Sequence, residues 1–304
     1  MELRQLRYFL AVAEEGHITR AAEKLYISQP ALSQQIKLLE EEIGTVLFDR
    51  IGRRIRLTAA GEILVAHARR ALQELSEAQV AIDELNGLQR GMLRIGVVQT
   101  VNAYLMPDLV AAFTNAYPAI SLQIEELATR DIEQRLADGD LQIGIGFVPP
   151  ETAGVTGEEL FSEDLVVVVS RQHPWADLPQ LPVQSLHQQP LILLSTTFCT
   201  RRLWDRCTHI AGIQPRVQIE MNTIGSILAA VRQLTLATVL PAMVLSGQPD
   251  LVGIPLVDPT PRRTVGLLFR HNAYRCAATR AFVAMTRAKL RVWASRQEIA
   301  HSPG

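Results

Sequence analysis

The feature that most constrains the fold is a pair of short helical patterns in residues 17–43. The residues Tyr26-Ile27-Ser28 interrupt the helical pattern between them. In the second pattern Leu32, Ile36, Leu39 and Ile43 recur at spacings of four, three and four, so one face of that helix is predicted to pack inward. Pro30 opens the helix, which is tolerated because first-turn amides lack hydrogen-bond partners. This arrangement leaves the opposite face of the second helix free to enter a groove of DNA.

That free face carries side chains that suit a base edge or a phosphate. Serine and glutamine both donate and accept hydrogen bonds, as base edges in the major groove require, and a lysine reaches phosphates. The predicted DNA-contacting residues of the two helices are Thr19, Arg20, Ser28, Gln29, Pro30, Ser33, Gln34 and Lys37. Taken alone, such a face is more often a solvated surface.

A basic hairpin follows the helices and favours DNA binding over a merely solvated surface. Residues 47–48 and 55–57 flank a glycine, and they predict a hairpin that projects Arg50, Arg53 and Arg54. Arginines in such a hairpin suit phosphates or a narrow minor groove. The helix pair and the wing together indicate a DNA-binding domain.

These motifs make residues 3–58 similar to the winged helix-turn-helix of LysR-type transcriptional regulators. The family pattern is met at Ala21 and Ala22, in SQPALSQQI at 28–36, in LFDR at 47–50 and in RLT at 56–58. Within the family the chain most resembles the cyanate-operon regulators, through segments 7–14, 94–98 and 193–201.

The resemblance implies an α/β architecture, with an N-terminal winged helix-turn-helix, a long linker helix and a two-lobed effector domain similar to periplasmic binding proteins. The implied domains are a DNA-binding domain at 1–58, a linker and dimerisation helix at 59–90 and a regulatory domain at 91–304. Lobe I is expected at about 91–162 and 266–304, and lobe II at about 163–265. Double-stranded DNA, RNA polymerase and further copies of the chain, as homodimers or homotetramers, are the implied partners of this activator or repressor.

The nearly equal numbers of basic and acidic residues limit the DNA affinity of a single copy of the chain. The formal net charge is −1, and residues 1–90 hold 12 Lys+Arg against 13 Asp+Glu. DNA affinity therefore has to come from local placement of the basic residues, and binding by a single copy is expected to be modest.

A heptad pattern of apolar residues in 59–90 predicts that two copies of the chain pair through this helix. Apolar positions alternate spacings of three and four at Leu64, Ala68, Ala71, Leu75, Ala78, Ile82 and Leu85. Such a seam favours helix pairing, although an amphipathic helix packed on its own protein gives the same pattern. A two-fold dimer predicts an imperfect inverted repeat in the DNA, with half-sites about one helical turn apart.

From residue 91 onward, short apolar runs alternate with helical patterns, as in parallel α/β sheets. Predicted strands are 93–98, 121–127, 142–148, 165–170, 191–194, 217–220, 238–240 and 264–270. Predicted helices are 105–117, 131–138, 201–210, 225–233 and 277–293. The family resemblance implies that the chain crosses between the lobes near 161–164 and returns near 264–266.

Hydroxyl and amide side chains follow several predicted strands, at the edge where open parallel sheets bind ligands. Helix capping explains such residues equally well. With the segments that the family resemblance adds, the predicted effector-binding residues are Thr100, Thr129, Thr197, Phe198, Thr200, Arg201 and Asn222. Helix starts and hydroxyls facing one cleft suit a small anion, and the expected effector is cyanate-like.

Two other effector types remain open. Peroxide-sensing members of the family carry a cysteine pair in the stretch where this chain has Cys199 and Cys207, with seven residues between them. Two ordinary reduced thiols are the simpler interpretation. An aromatic or other organic acid is the second alternative, although residues 145–149 lack the arginine that some aromatic-acid-sensing relatives place there.

Other classes of protein find no support. No metal-ligand spacing, nucleophile elbow or phosphate-binding glycine loop occurs, so we expect neither an enzyme nor a cofactor. No stretch approaches twenty apolar residues and the N-terminus is charged, so no membrane partner is expected. With three cysteines, a cytoplasmic protein with reduced thiols is the expectation.

Overall fold

The computed structural model describes residues 1–51, 54–85 and 91–300. The chain divides into two compact units, Met1–Leu88 with Asp138–Asp140, and Gln89–Ala137 with Leu141–Gly304. Each unit is described by itself below.

The N-terminal unit is a three-helix cluster followed by a hairpin and a long helix. Its elements are α1 (Leu3–Glu15), α2 (Ile18–Lys24), α3 (Gln29–Ile43), β1 (Phe48–Ile51), β2 (Arg54–Leu57) and α4 (Ala59–Leu85). The Ser28 side chain accepts a hydrogen bond from the Ala31 amide and so caps α3, while Gly44 ends it in the left-handed conformation. Phe9, Leu32 and Leu39 are fully buried among the three helices. Capping and a buried apolar stripe therefore form the helix pair that the sequence predicts.

The predicted seam of the long helix α4 is buried at its N-terminal end and exposed farther along. Ala68 is 2% exposed and packs in the helical cluster, and Leu64 packs against the same core. Farther along, Leu75 and Ile82 are 47% and 53% exposed. The seam assignment therefore needs correction at Leu64 and Ala68, because both pack against the N-terminal core, in which α1 contacts α4. The apolar surface left for a partner begins at Ala71.

The second unit is built on one long mixed sheet. Its strands are β3 (Gly91–Val97), β4 (Ile120–Glu126), β5 (Ile143–Phe147), β6 (Val155–Ser170), β7 (Leu181–Pro182), β8 (Pro190–Leu194), β9 (Arg216–Met221), β10 (Ala237–Pro241), β11 (Leu251–Val257) and β12 (Arg262–Arg270). The strand order is β4-β3-β5-β12-β6-β10-β8-β9, with β11 beside β6 and β7 beside β11. Its helices are α5 (Gln99–Tyr104), α6 (Met106–Ala116), α7 (Thr129–Asp138), α8 (Cys199–Ile210), α9 (Ile224–Gln233) and α10 (Ala277–Ala300).

Strand β6 belongs to both halves of this sheet. Its first ten residues pair antiparallel with β12, and its last six pair with β10 or β11. The sequence predicted only residues 165–170 as a strand, because residues 155–164 have neither a continuous apolar run nor a regular alternation: polar residues are consecutive at 158–159 and 162–164. Separate apolar cores lie around β3–β5 and around β8–β10. The carboxyl ends of β3, β4 and β8 each lead into the start of a helix.

Candidate functional sites

The N-terminal part of α3 presents an exposed polar surface. Pro30, Gln34 and Lys37 are exposed, as are Thr19 and Arg20 on α2. Ser28 and Gln29 are exposed as well, while Ser33 is half-buried and accepts a hydrogen bond of 2.7 Å from the Gln29 Nε2 atom. The Lys37 Nζ atom lies 3.4 Å from a carboxylate oxygen of Glu41. All the predicted contact residues of the two helices are therefore exposed, except the half-buried Ser33.

The basic wing forms an antiparallel hairpin. Arg50 pairs with Ile55, and Ile51 pairs with Arg54. The predicted contact residue Arg53 lies outside the described residues. Tyr26 is 95% exposed in the turn between α2 and α3 and has a φ of 55°.

A pocket lies where helices α5, α7 and α8 begin. Its lining residues are Val98, Gln99, Thr100, Leu127, Ala128, Thr129, Phe147, Phe198, Cys199 and Thr200. Four of the seven predicted effector residues, namely Thr100, Thr129, Phe198 and Thr200, are therefore brought together. The cavity volume of the pocket is about 20 Å³, far below the roughly 300–1,000 Å³ typical of sites for drug-sized ligands. The ligand that fits it is small.

Two of the helix starts at this pocket, those of α5 and α8, are not capped by side chains. The residues before them, Val98 and Phe198, accept no hydrogen bond from the first-turn amides through their side chains. The hydroxyls of Thr100 and Thr200 instead accept hydrogen bonds from Arg263. First-turn amides without a side-chain acceptor favour an anion.

A buried arginine lies directly behind the pocket. Arg263 of β12 donates hydrogen bonds of 2.7 Å to the Thr100 Oγ1 atom and 2.6 Å to the Thr200 Oγ1 atom. Its Nε atom donates to Glu163 at 2.7 Å, and its guanidinium lies 4.2 Å from the Phe147 ring centroid. The hydroxyl of Tyr104 also donates to Glu163, at 3.0 Å. Burial, together with the Glu163 carboxylate, raises the pKa of the Tyr104 phenol, which keeps this donor protonated.

Sequence reasoning missed Arg263 and Glu163. The available signal was the opposite charge of two residues at or beside the predicted crossings between the lobes. It also missed Gln99, which is 8% exposed and donates from Nε2 to the backbone carbonyl of Asn222. The Oε1 atom of Gln99 is buried and has no hydrogen-bond partner among the described residues.

The remaining predicted effector residues lie elsewhere. Thr197 is exposed, and its hydroxyl lies 2.7 Å from that of Ser195. The side chain of Asn222 is exposed, and its backbone carbonyl makes the contact with Gln99. Arg201 donates to Asp205 and to the Leu194 carbonyl, both at 2.8 Å, and lines a separate surface depression. The guanidinium of Arg201 is thus bound to groups that do not line the pocket.

The two cysteines of α8 have different surroundings. The sulfur of Cys199 lies 2.9 Å from the Thr129 hydroxyl and 2.9 Å from the guanidinium of Arg202. Cys207 is buried in the lobe core, and this burial raises the pKa of its thiol. The two residues are eight positions apart on one helix, which corresponds to about 12 Å along its axis. A disulfide between them therefore requires α8 to unwind.

Two classes of site are missing from the described part of the chain. No cluster of three or more His, Cys, Asp or Glu side chains there is placed to hold a metal ion. No helix within the described ranges is both long and apolar enough to cross a membrane.

Comparison with known proteins gives matches to both units. Residues 3–62 match the family described as "Bacterial regulatory helix-turn-helix protein, lysR family", and residues 86–291 match "LysR substrate binding domain". A "Probable RuBisCO transcriptional regulator" of Emiliania huxleyi is 34% identical over 282 residues, covering 90% of each protein. A solved full-length OxyR of Pseudomonas aeruginosa, carrying a cysteine-to-aspartate substitution, is 28% identical with a TM-score of 0.75, over 96% of this chain and 95% of that one. CbnR in complex with its target DNA is 26% identical with a TM-score of 0.55, over 95% and 100% of the two chains.

Proposed function

Because the chain belongs to the LysR family of transcriptional regulators, we propose that it binds promoter DNA as a homodimer or homotetramer under the control of a small anionic effector. The family assignment makes it a transcriptional regulator with a DNA-binding helix-turn-helix and an effector-binding domain, and not an enzyme. The observation that carries the effector proposal is the pocket that Thr100, Thr129 and Thr200 line, where the starts of α5 and α8 lack a side-chain cap.

The exposed start of α3 supports base reading in the major groove, with Ser33 and Gln34 as base-contacting residues and Lys37 as a phosphate contact. The wing supplies Arg50, Arg53 and Arg54 to the phosphates. Two copies joined through the exposed part of α4 present two such surfaces. The DNA site is then an imperfect inverted repeat with half-sites about one helical turn apart.

The effector binds where the hydroxyls of Thr100, Thr129 and Thr200 surround a small volume. A cyanate-like ion is one effector of this class and follows from the narrower resemblance to cyanate-operon regulators. A small organic acid is the alternative. Either one favours one arrangement of the lobes over another, and a coupling of about 1–3 kcal/mol is enough to change promoter binding and recruitment of RNA polymerase.

A footprinting experiment tests this function directly. The full-length protein is titrated onto the DNA upstream of its own gene, with and without small anions, and the protected region is mapped. We expect a two-fold symmetric footprint whose extent changes with the effector. Absence of any sequence-specific protection would contradict the DNA-binding proposal, and identical footprints at saturating effector would contradict the coupling.

A redox signal is a second candidate, which the contacts of Cys199 with Thr129 and Arg202 favour. Cys199 is also only partly buried, which leaves its sulfur accessible to peroxide. Hydrogen peroxide would convert the Cys199 thiol to a sulfenic acid, with release of water. Mass spectrometry after mild peroxide treatment tests this step, and an unchanged Cys199 mass would remove the candidate.

A further inference from the structure

Arg263 fixes the direction of the hydrogen bonds that the pocket offers. A guanidinium can only donate, so the Oγ1 atoms of Thr100 and Thr200 are both acceptors toward Arg263, at 2.7 and 2.6 Å. Each hydroxyl hydrogen then remains for another acceptor. Because both threonines line the pocket, they present two donors to whatever binds there.

Gln99 presents the opposite polarity. Its Nε2 atom donates to the Asn222 carbonyl, and since a carbonyl can only accept, the orientation of the Gln99 amide is fixed. The Oε1 atom is therefore the group left without a partner among the described residues, in a side chain that is 8% exposed. A buried acceptor without a donor is costly, and such groups in proteins usually have a partner.

We propose that the effector is a small hydroxy acid, whose carboxylate accepts from Thr100 and Thr200 while its hydroxyl donates to Gln99. This inference rests on the proposed effector site and names the chemical class that it selects. Gln99 is then the residue that distinguishes a hydroxy acid from a simple anion such as cyanate or acetate, which has no hydrogen to donate. The organic-acid alternative is thus favoured over the pseudohalide.

The donor is a hydroxyl rather than an ammonium group. None of the pocket-lining residues is acidic. The nearby carboxylate of Glu163 already accepts hydrogen bonds from Arg263 and Tyr104. A bound ammonium ion would lose its hydration without gaining an anionic partner, which is unfavourable in a buried site.

Isothermal titration calorimetry on the full-length protein tests the proposal with acetate and glycolate, which differ by one hydroxyl group. The expected result is at least about tenfold tighter binding of glycolate, because acetate leaves the Gln99 acceptor unpaired. Comparing the affinities of lactate and propionate repeats this test with ligands that each carry one more methyl group. Cyanate and glycine complete the series, and both are expected to bind more weakly than glycolate.

The variant Gln99→Met removes the acceptor at similar side-chain size, and the ratio of glycolate to acetate affinity should fall to about one. Gln233→Met, at an exposed glutamine that does not line the pocket, should leave the ratio unchanged. If Gln99→Met does not fold, the wild-type series decides the ligand class by itself.

The outcomes separate the inference from the function on which it rests. Equal affinity for acetate and glycolate overturns the inference alone, as does glycine binding as tightly as glycolate. A glycolate preference that persists in Gln99→Met overturns the role of Gln99. If no ligand in the series binds, the small-anion effector is contradicted and the inference falls with it.

Discussion

The Nε atom of Arg263 lies 2.7 Å from an Oε1 atom of Glu163, and both side chains are buried. Arg263 lies on β12 and Glu163 on β6. The two residues are 100 positions apart in sequence, and the two strands are adjacent in the sheet. Arg263 also reaches threonines on α5 and α8, so one guanidinium links the crossing strands to both sides of the pocket.

Breaking this pair should strongly destabilise the regulatory domain. Arg263→Met leaves the Glu163 carboxylate buried without its cation, which typically costs about 3–5 kcal/mol. Urea unfolding followed by tryptophan fluorescence measures the loss. The matched control is Arg262→Met, which removes the neighbouring but exposed pair with Asp164 and should leave the unfolding midpoint nearly unchanged. Similar midpoints for both variants would contradict the proposed importance of the buried pair.

Substitutions of the proposed base-contacting residue Gln34 and of the proposed phosphate-contacting residue Lys37 should affect DNA binding in different ways. Gln34→Ala should relax the preference at one half-site position by about 1–3 kcal/mol, because a base-edge contact is lost. Lys37→Ala should weaken binding to all sequences and lower the slope of log affinity against log salt. Fluorescence anisotropy with single-base variants of the operator, at several salt concentrations, measures both effects. Identical behaviour of the two variants would mean that neither assignment is correct.

The exposed part of α4 should carry the dimer. Ala78→Asp places a charge on the apolar stripe with Leu75 and Ile82, and we expect monomers that lose specific DNA binding while the regulatory domain stays folded. Ser76→Asp adds the same charge at an exposed position on another side of the helix and should leave the dimer intact. Analytical ultracentrifugation measures the mass of each variant. A dimeric Ala78→Asp protein would refute this interface.

The two cysteines of α8 should differ in reactivity. Burial raises the pKa of the Cys207 thiol, so less thiolate is present at any pH below that pKa, and the sulfur is also shielded. Cys199 is half-exposed beside Arg202, and iodoacetamide at pH 8 should alkylate it first. Peptide mass spectrometry over time gives the two rates, with Cys199→Ser identifying the slower site. Faster modification of Cys207 would contradict this order.

The parts of the fold that sequence patterns predicted well are those with local signals. Ser28 as cap, Pro30 in the first turn and the stripe around Leu32 mark α3 without reference to any distant residue. The first half of β6 was missed because consecutive polar residues at 158–159 and 162–164 leave neither an apolar run nor a regular alternation. β11 was missed as well, since Gly253 and Pro255 interrupt its apolar run.

The sequence by itself determined the family, the order of most elements and the hydroxyls at the helix starts, because each depends on near neighbours in the chain. Only the tertiary structure decided which side chains meet. Arg201, near Thr200 in sequence, turns toward Asp205 and the Leu194 carbonyl, while Arg263 reaches the same threonine from 63 residues away. The antiparallel pairing of β12 with β6 places that cation, and no local pattern encodes a contact between strands so far apart in sequence.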